Sequence, residues 1–210
     1  MKNILSKIKA LITLSELSPE RKREFWVSVL SLFIVTASSA LILSGIYSLV
    51  EGVIEERREA PILAAAARVM PADRHVRSEF DTDDVNGVEA VYEAMAGDTV
   101  IGYCVHSIAE DFNGEMTVVS AVDMEGKIVA VEVVSMPDGV GTKVRNSSFL
   151  AQFALKSGKV ESVSEVKNES QIVAVSGATA SSKAVTECVN HALSAVSQIF
   201  AEKAKEAVTE

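Results

Sequence analysis

The sequence predicts an α+β protein: a single N-terminal transmembrane helix, then a domain of antiparallel strands with packed helices. Three observations carry that expectation. Residues 25–50 contain no charged side chain, and roughly 20 predominantly apolar residues are enough to cross a bilayer as a helix. Two pairs of Val- and Ile-rich segments flank short turns. Residues 88–95 and 100–107 surround Ala96-Gly97-Asp98-Thr99, and 116–122 and 127–134 surround Asp123-Met124-Glu125-Gly126. Branched residues around Gly-containing turns are what half-buried hairpin strands require. Finally, Ala184, Val185, Cys188, Val189, Ala192, Leu193, Val196, Ile199 and Phe200 recur at helical spacing, so one face of a C-terminal helix is buried.

The flanks of the apolar segment set its expected direction. Lys2, Lys7, Lys9, Arg21, Lys22 and Arg23 precede it, whereas Arg57 and Arg58 follow it among Glu51, Glu55, Glu56 and Glu59. Cationic flanks stay in the cytoplasm. Residues 1–24 are therefore expected inside and residues 51–210 outside, giving a single-pass protein of the cell membrane with a periplasmic or otherwise extracytoplasmic domain. Trp26 and Tyr47 stand near the two ends of the segment, where amphipathic rings favour the interface. Ala37, Ala40, Ser44 and Ser48 share a helical face; such small faces admit a neighbouring transmembrane helix. A cleaved signal peptide, for which Ala37-Ser38-Ser39-Ala40 offers small residues, is the competing reading; it fits worse, because the apolar run is long and starts late.

The remaining elements follow in order. Residues 51–70 read as a helix ended by Pro71, and 51–86 as a stalk and linker. Residues 73–86 read as a polar loop; Asp81, Asp83 and Asp84 lack the spacing and closing Glu of a calcium loop. A domain is expected over 87–201 and a fraying charged tail over 202–210. Within the domain, 147–157 reads as a helix, with 162–166 and 172–175 as short strands. Residues 1–24 hold six Lys or Arg against three Glu, a net +3, so the rest carries −12 of the total −9. That acidic domain excludes a nucleic-acid stripe. Cys104 and Cys188 form no CxxC and read as buried thiols, or as one disulfide in an oxidising compartment. His75, His106 and His191 lack metal-ligand spacing, and no nucleophile–base pair marks a hydrolase, so neither a metal site nor a catalytic residue is expected.

The segment with most chemical content is Ser176-Gly177-Ala178-Thr179, directly before the C-terminal helix. Small residues let the backbone approach a ligand, and unpaired N–H groups with the helix dipole favour a phosphate. A plain capping role for Ser176 or Thr179 is the simpler reading of the same residues. Upstream, Gly139-Val140-Gly141-Thr142-Lys143 forms a glycine-rich break after the strands.

With Ala180-Ser181-Ser182, the Ser-Gly-Ala-Thr segment resembles the flavinylation motif of the covalent-FMN subunits of redox-driven ion pumps. These are the G subunit of the Rnf electron-transport complex and the C subunit of the sodium-translocating NADH:quinone oxidoreductase. The chain length leans towards the G type. The glycine loop resembles the family's Glu-Thr-Pro-Gly-Leu-Gly-Thr/Ala-Lys segment in its Gly and Lys half. Met136-Pro137-Asp138 replaces the Glu-Thr-Pro half, and Val173 stands where members commonly carry an Asp.

The resemblance implies an FMN-binding domain over 87–201, with FMN joined to Thr179 as a phosphoester by a separate flavin transferase. Ser176, Gly177, Ala178 and Ser182 would surround the phosphoester, together with Gly139, Gly141, Thr142 and Lys143; Ser181 is a further hydroxyl donor. The implied function is electron relay within a membrane-bound, Na⁺- or H⁺-translocating ferredoxin/NAD-type oxidoreductase, alongside other membrane and peripheral subunits and lipid, with no independent catalysis. The competing reading is an anchored extracytoplasmic module that binds an anion or phosphate ligand, or acts as a sensor, without redox chemistry.

Overall fold

The computed structural model describes residues 19–82, 85–111, 113–137 and 142–209. Asp83, Asp84, Asp138, Gly139, Val140 and Gly141 lie outside the described residues. The chain divides into two compact units, Met1–Glu56 and Arg57–Glu210. Helix α1 (Pro19–Val69) contributes residues to both.

In the first unit, Arg23–Tyr47 is a 25-residue stretch long and apolar enough to cross a membrane, and none of it is buried by protein. Leu32, Phe33, Leu41 and Leu43 are each about two-thirds exposed or more, an arrangement suited to lipid rather than water. Three of the segment's hydroxyls are satisfied within the helix. Ser31 donates to the Ser28 carbonyl, Thr36 to the Leu32 and Phe33 carbonyls, and Ser38 to the Val35 carbonyl, at 2.9–3.0 Å. Inside a bilayer, where water cannot serve as a partner, that satisfaction is required.

The second unit is built on a five-stranded antiparallel meander in the order β1 (Arg74–Arg77), β2 (Val88–Ala96), β3 (Thr99–Asp111), β4 (Gly114–Asp123) and β5 (Ile128–Ser135). The two hairpins expected from the sequence are β2–β3 and β4–β5, and β3–β4 forms a third hairpin between them. Because side chains alternate along a strand, the sheet presents two apolar faces. One face carries Val91, Tyr103, Val105, Met116, Val118, Val122, Val131 and Val133. It is covered by the C-terminal helix α3 (Thr179–Thr209) through Val185, Cys188, Val189, Ala192, Val196 and Ile199. The other face carries Ala90, Tyr92, Ala94, Cys104, Val119 and Ala121 and is covered by Ile62, Ala65, Ala66, Val69 and Met70, at the end of α1. Within residues 62–70, expected as part of a stalk, Ile62, Ala65, Ala66, Val69 and Met70 are therefore core. Gly102 marks how close this layer sits: a Cβ there would lie 2.6 Å from the Val122 carbonyl oxygen and 2.7 Å from the Met70 side chain.

Other expectations are corrected. The polar segment 73–86 includes the edge strand β1, whose Arg-His-Val-Arg sequence has no apolar alternation to reveal it. The helix expected over 147–157 is the short α2 (Ser147–Leu150) followed by a 3₁₀ turn, Ala151–Phe153. Asn146 starts it by accepting from the Ser148 N–H at 2.9 Å, and Leu155, at φ 63°, turns the chain away. Strands β6 (Glu161–Val163) and β7 (Gln171–Val173) pair in parallel as a separate small sheet. The tail does not fray at 202: α3 continues to Thr209, and Lys203 donates to the Tyr103 hydroxyl at 2.8 Å and to Glu93 at 3.1 Å. Ala, Glu and Lys, which dominate this stretch, are strong helix formers.

Cys104 and Cys188 are free and buried on opposite faces of the sheet, so the possible disulfide is not formed. Burial pushes both thiols up to about 12, which keeps them protonated and poor nucleophiles.

His106 supplies a pH test of the packing. Burial holds its imidazole below the ordinary value near 6.5; Glu89 opposes that shift and Arg77 adds to it. The unfolded chain thus takes up a proton that the folded chain resists, and stability rises with pH wherever the unfolded state binds more protons. The contribution is complete above pH 6.5 and is lost as pH falls below it. The urea midpoint should drop between about pH 7.5 and 5.5, and the drop should be smaller in His106→Asn.

Candidate functional site

The site begins where β7 ends. Val175 to Ala178 form a tight turn closed by the Ala178 N–H donating to the Val175 carbonyl at 2.9 Å. Its third residue, Gly177, has φ +73°, a conformation that glycine adopts without steric cost. Thr179 is then the first residue of α3. This corrects the capping expectation, since the residue in the cap position is Ala178, which carries no side-chain oxygen.

Ser182 locks the turn to the helix. Its hydroxyl donates to the Ala178 carbonyl at 2.8 Å and accepts from the Val175 N–H at 2.9 Å. The hydroxyl proton is used and the residue is fully buried, so Ser182 shapes the turn instead of donating to a ligand. Ser181 is similarly committed, donating to Asp111 Oδ2 at 2.8 Å. Ser176, Gly177 and Thr179 remain exposed while Ala178 is buried. The exposed hydroxyl of Thr179 thus stands at the positive end of a 31-residue helix whose first turn contains no acidic residue. Such a terminus favours an anion.

Lys143 comes to the same place from 33 residues earlier in the chain. It lies in the 3₁₀ turn Thr142–Arg145, fixed by the fully buried Val144. Its Nζ donates to the Ser176 carbonyl at 3.3 Å, and a Cβ added at Gly177 would stand 3.2 Å from that nitrogen. The fold therefore joins the Lys end of the upstream segment to the motif, which sequence spacing alone does not reveal. Thr142 is exposed in the same turn. Gly139 and Gly141 lie outside the described residues.

Asp111, at the end of β3, is the site residue that sequence reasoning missed. Its sequence signal is only an acidic strand end, and the packing of α3 on the sheet brings it to Ser181. A groove of about 650 Å³ is lined by Pro61, Ala64, Arg68, Glu132, Val133, Val134, Arg145 and Leu150. Arg145 donates to the Val134 carbonyl at 2.8 Å, and Arg68 grips Glu132 at 2.6–3.1 Å. No motif residue lines this groove.

Residues 111–194 match the family model of the FMN-binding domain, a span that starts at Asp111 and includes Lys143 and the whole motif. The chain is similar to the G subunits of two ferredoxin:NAD(+) oxidoreductase complexes, and it spans less than two thirds of the length of the first of them. It is 34% identical over 117 residues to the G subunit of the proton-translocating ferredoxin:NAD(+) oxidoreductase complex of Clostridium ljungdahlii, covering 53% of this chain and 62% of that relative. It is 28% identical over 179 residues to the G subunit of the Na(+)-translocating ferredoxin:NAD(+) oxidoreductase complex of Acetobacterium woodii, covering 77% of this chain and 86% of that relative.

The close fit at Gly177 gives a direct test. In Gly177→Ala, the positive φ and the Lys143 ammonium 3.2 Å from the new methyl act together. The substitution should destabilise the domain by about 1 kcal/mol or more and lower flavin loading, read as the absorbance ratio of flavin to protein.

Proposed function

We propose that this chain is the electron-carrying subunit of a membrane-bound, ion-translocating oxidoreductase of the ferredoxin:NAD type, holding FMN through a phosphoester to Thr179 in an extracytoplasmic domain. The observation that carries the reading is the exposed Thr179 hydroxyl at the start of α3, beside the Gly177 turn and Lys143. These residues suit the phosphate end of FMN. The turn is open at Gly177, the helix terminus is positive, and the ammonium of Lys143 offsets phosphate charge. When bound, FMN supplies the electron transfer; the protein supplies position and environment.

Attachment at Thr179 forms a bond from the threonine oxygen to phosphorus. The hydroxyl proton is lost, and the leaving group departs from an activated flavin donor handled by a separate flavin transferase. Covalent attachment suits an outward-facing domain, where a dissociated cofactor is diluted and lost. The link uses the end of FMN remote from the ring and so tethers the cofactor without altering its electronics. Ser182 and Ser176 hold the turn that presents Thr179, and Thr142 and Lys143 border it. The cationic flank of residues 1–24 supports a cytoplasmic N-terminus, and the lipid-suited surface of Arg23–Tyr47 supports a single anchor among partner subunits. The two relatives are named for different ions, so the role assigned to this chain is electron relay and not ion selection.

The test is co-production with a flavin transferase followed by a denaturing gel. The wild-type band should fluoresce as flavin and Thr179→Ala should lose that signal. A fluorescent Thr179→Ala band removes the attachment assignment.

A further inference from the structure

We propose that Gln152 is a positioning residue for the Thr179 site: its side-chain amide stands in for a neighbouring strand on β7 and holds the motif in register with the Lys143 turn. The inference rests on the Thr179 attachment reading and adds to it the residue that orders the chain leading into the motif.

β7 is only Gln171–Val173 and pairs in parallel with β6 on one side. The Ala174 N–H donates to the Val163 carbonyl at 2.8 Å. Neighbouring residues of a strand turn their backbone groups to opposite sides, so Val173 presents its N–H and carbonyl away from β6. Gln152 takes both. The Val173 N–H donates to Gln152 Oε1 at 2.8 Å, and Gln152 Nε2 donates to the Val173 carbonyl at 3.2 Å. A paired strand residue uses the same two groups; here a side chain supplies them. Gln152 itself has a fixed origin. It lies in the 3₁₀ turn Ala151–Phe153, whose Phe153 is fully buried and meets Phe149 edge-on at 5.5 Å between ring centroids. Residues 142–153 are anchored in the core by Val144, Phe149 and Phe153. They reach the motif segment twice: Gln152 at Val173, and Lys143 at the Ser176 carbonyl, 3.3 Å away.

Register is what these contacts fix. Ile172 is fully buried and Val173 is 43% exposed. A slip by one residue exchanges the two faces and shifts the chain by about 3.3 Å. The turn admits no such slip, because its position at φ +73° is held by Gly177, and Ser176 or Ala178 there meets the steric cost that glycine avoids. Attachment joins the Thr179 oxygen to phosphorus while the donor's phosphorus–oxygen bond breaks and the hydroxyl proton is released. Such a step is sensitive to placement, a displacement of about 1 Å costing on the order of a hundredfold. Asn190 of α3 makes the same two-bond clasp elsewhere. It accepts from the Val160 N–H at 2.8 Å and donates to the Val160 carbonyl at 2.9 Å. That clasp holds the entry to β6 and not the motif, so it provides the comparison.

The experiment uses the full-length chain in detergent, produced without a flavin transferase and then supplied with the transferase and its activated flavin donor. Covalent flavin is followed over time as fluorescence of the denatured band. Gln152→Met keeps the length of the side chain and removes both bonds; it should lower kcat/KM for attachment about tenfold. Asn190→Ala removes the other clasp and should attach flavin at the wild-type rate. Urea midpoints are measured for both, because a merely structural role makes attachment follow stability in either variant. Deuterium uptake of the unflavinylated chain should rise at residues 172–178 in Gln152→Met and stay unchanged in β2–β5. Gln152→Ala serves the same comparison if Gln152→Met does not fold. Attachment to Gln152→Met at the wild-type rate overturns the proposal. So does an equal loss in Asn190→Ala, or unchanged deuterium uptake at residues 172–178. The two readings fail differently: no attachment to the wild-type chain removes the Thr179 reading and this inference with it, whereas wild-type attachment with an unaffected Gln152→Met removes this inference alone.

Discussion

The burial of one face of α3 against the five-stranded sheet decides where Thr179 stands. Val185, Cys188, Val189, Ala192, Val196 and Ile199 are buried against Tyr103, Val105, Met116, Val118 and Val122. Each fully buried residue of this size contributes about 1.5–3 kcal/mol relative to exposure. Ser107 adds a hydrogen bond to the Cys188 carbonyl at 2.9 Å, which sets the helix along the strands as well as across them. With the body of α3 fixed, its first turn must emerge beside the end of β3, and Asp111 meets Ser181 there. The turn before it is held by Ser182, and Lys143 arrives on the buried anchor of Val144.

The second helical layer gives the sheet its other covering. Ile62, Ala65, Ala66, Val69 and Met70 lie on the face opposite α3. Alanines allow the helix backbone to approach the sheet closely, and Gly102 accepts the Met70 side chain where any Cβ would collide. The domain is therefore a helix–sheet–helix sandwich whose first layer comes from the same helix that supplies the membrane segment. Glu59 adds a contact within this unit, binding Arg77 of β1 at 2.7 Å.

Much of this was legible from sequence where the physical signal is local. The α3 stripe and the two outer hairpins follow directly from periodicity and Gly-containing turns. The apolar, charge-free segment likewise announces itself. The edge strand β1 does not, because Arg74-His75-Val76-Arg77 has no buried face to impose alternation. Residues 62–70 read as a helix but not as core, since alanine carries a weak hydrophobic signal even when fully buried. In the site, the motif turn was readable, but the division of labour among its hydroxyls was not. Ser176, Ser181 and Ser182 look alike as donors in sequence, yet packing commits Ser182 to the backbone and Ser181 to Asp111. Asp111 itself lies 70 residues from Ser181, a separation that only the tertiary fold closes.

The central claim is that Thr179 is the residue to which the flavin is joined. Its most direct measurement is the intact mass of the full-length chain, co-produced with a flavin transferase and denatured, followed by fragmentation of the peptide carrying residues 176–182. A gain equal to FMN less water, located on Thr179, is the predicted result. An unmodified mass, or a flavin located on any other residue, contradicts it.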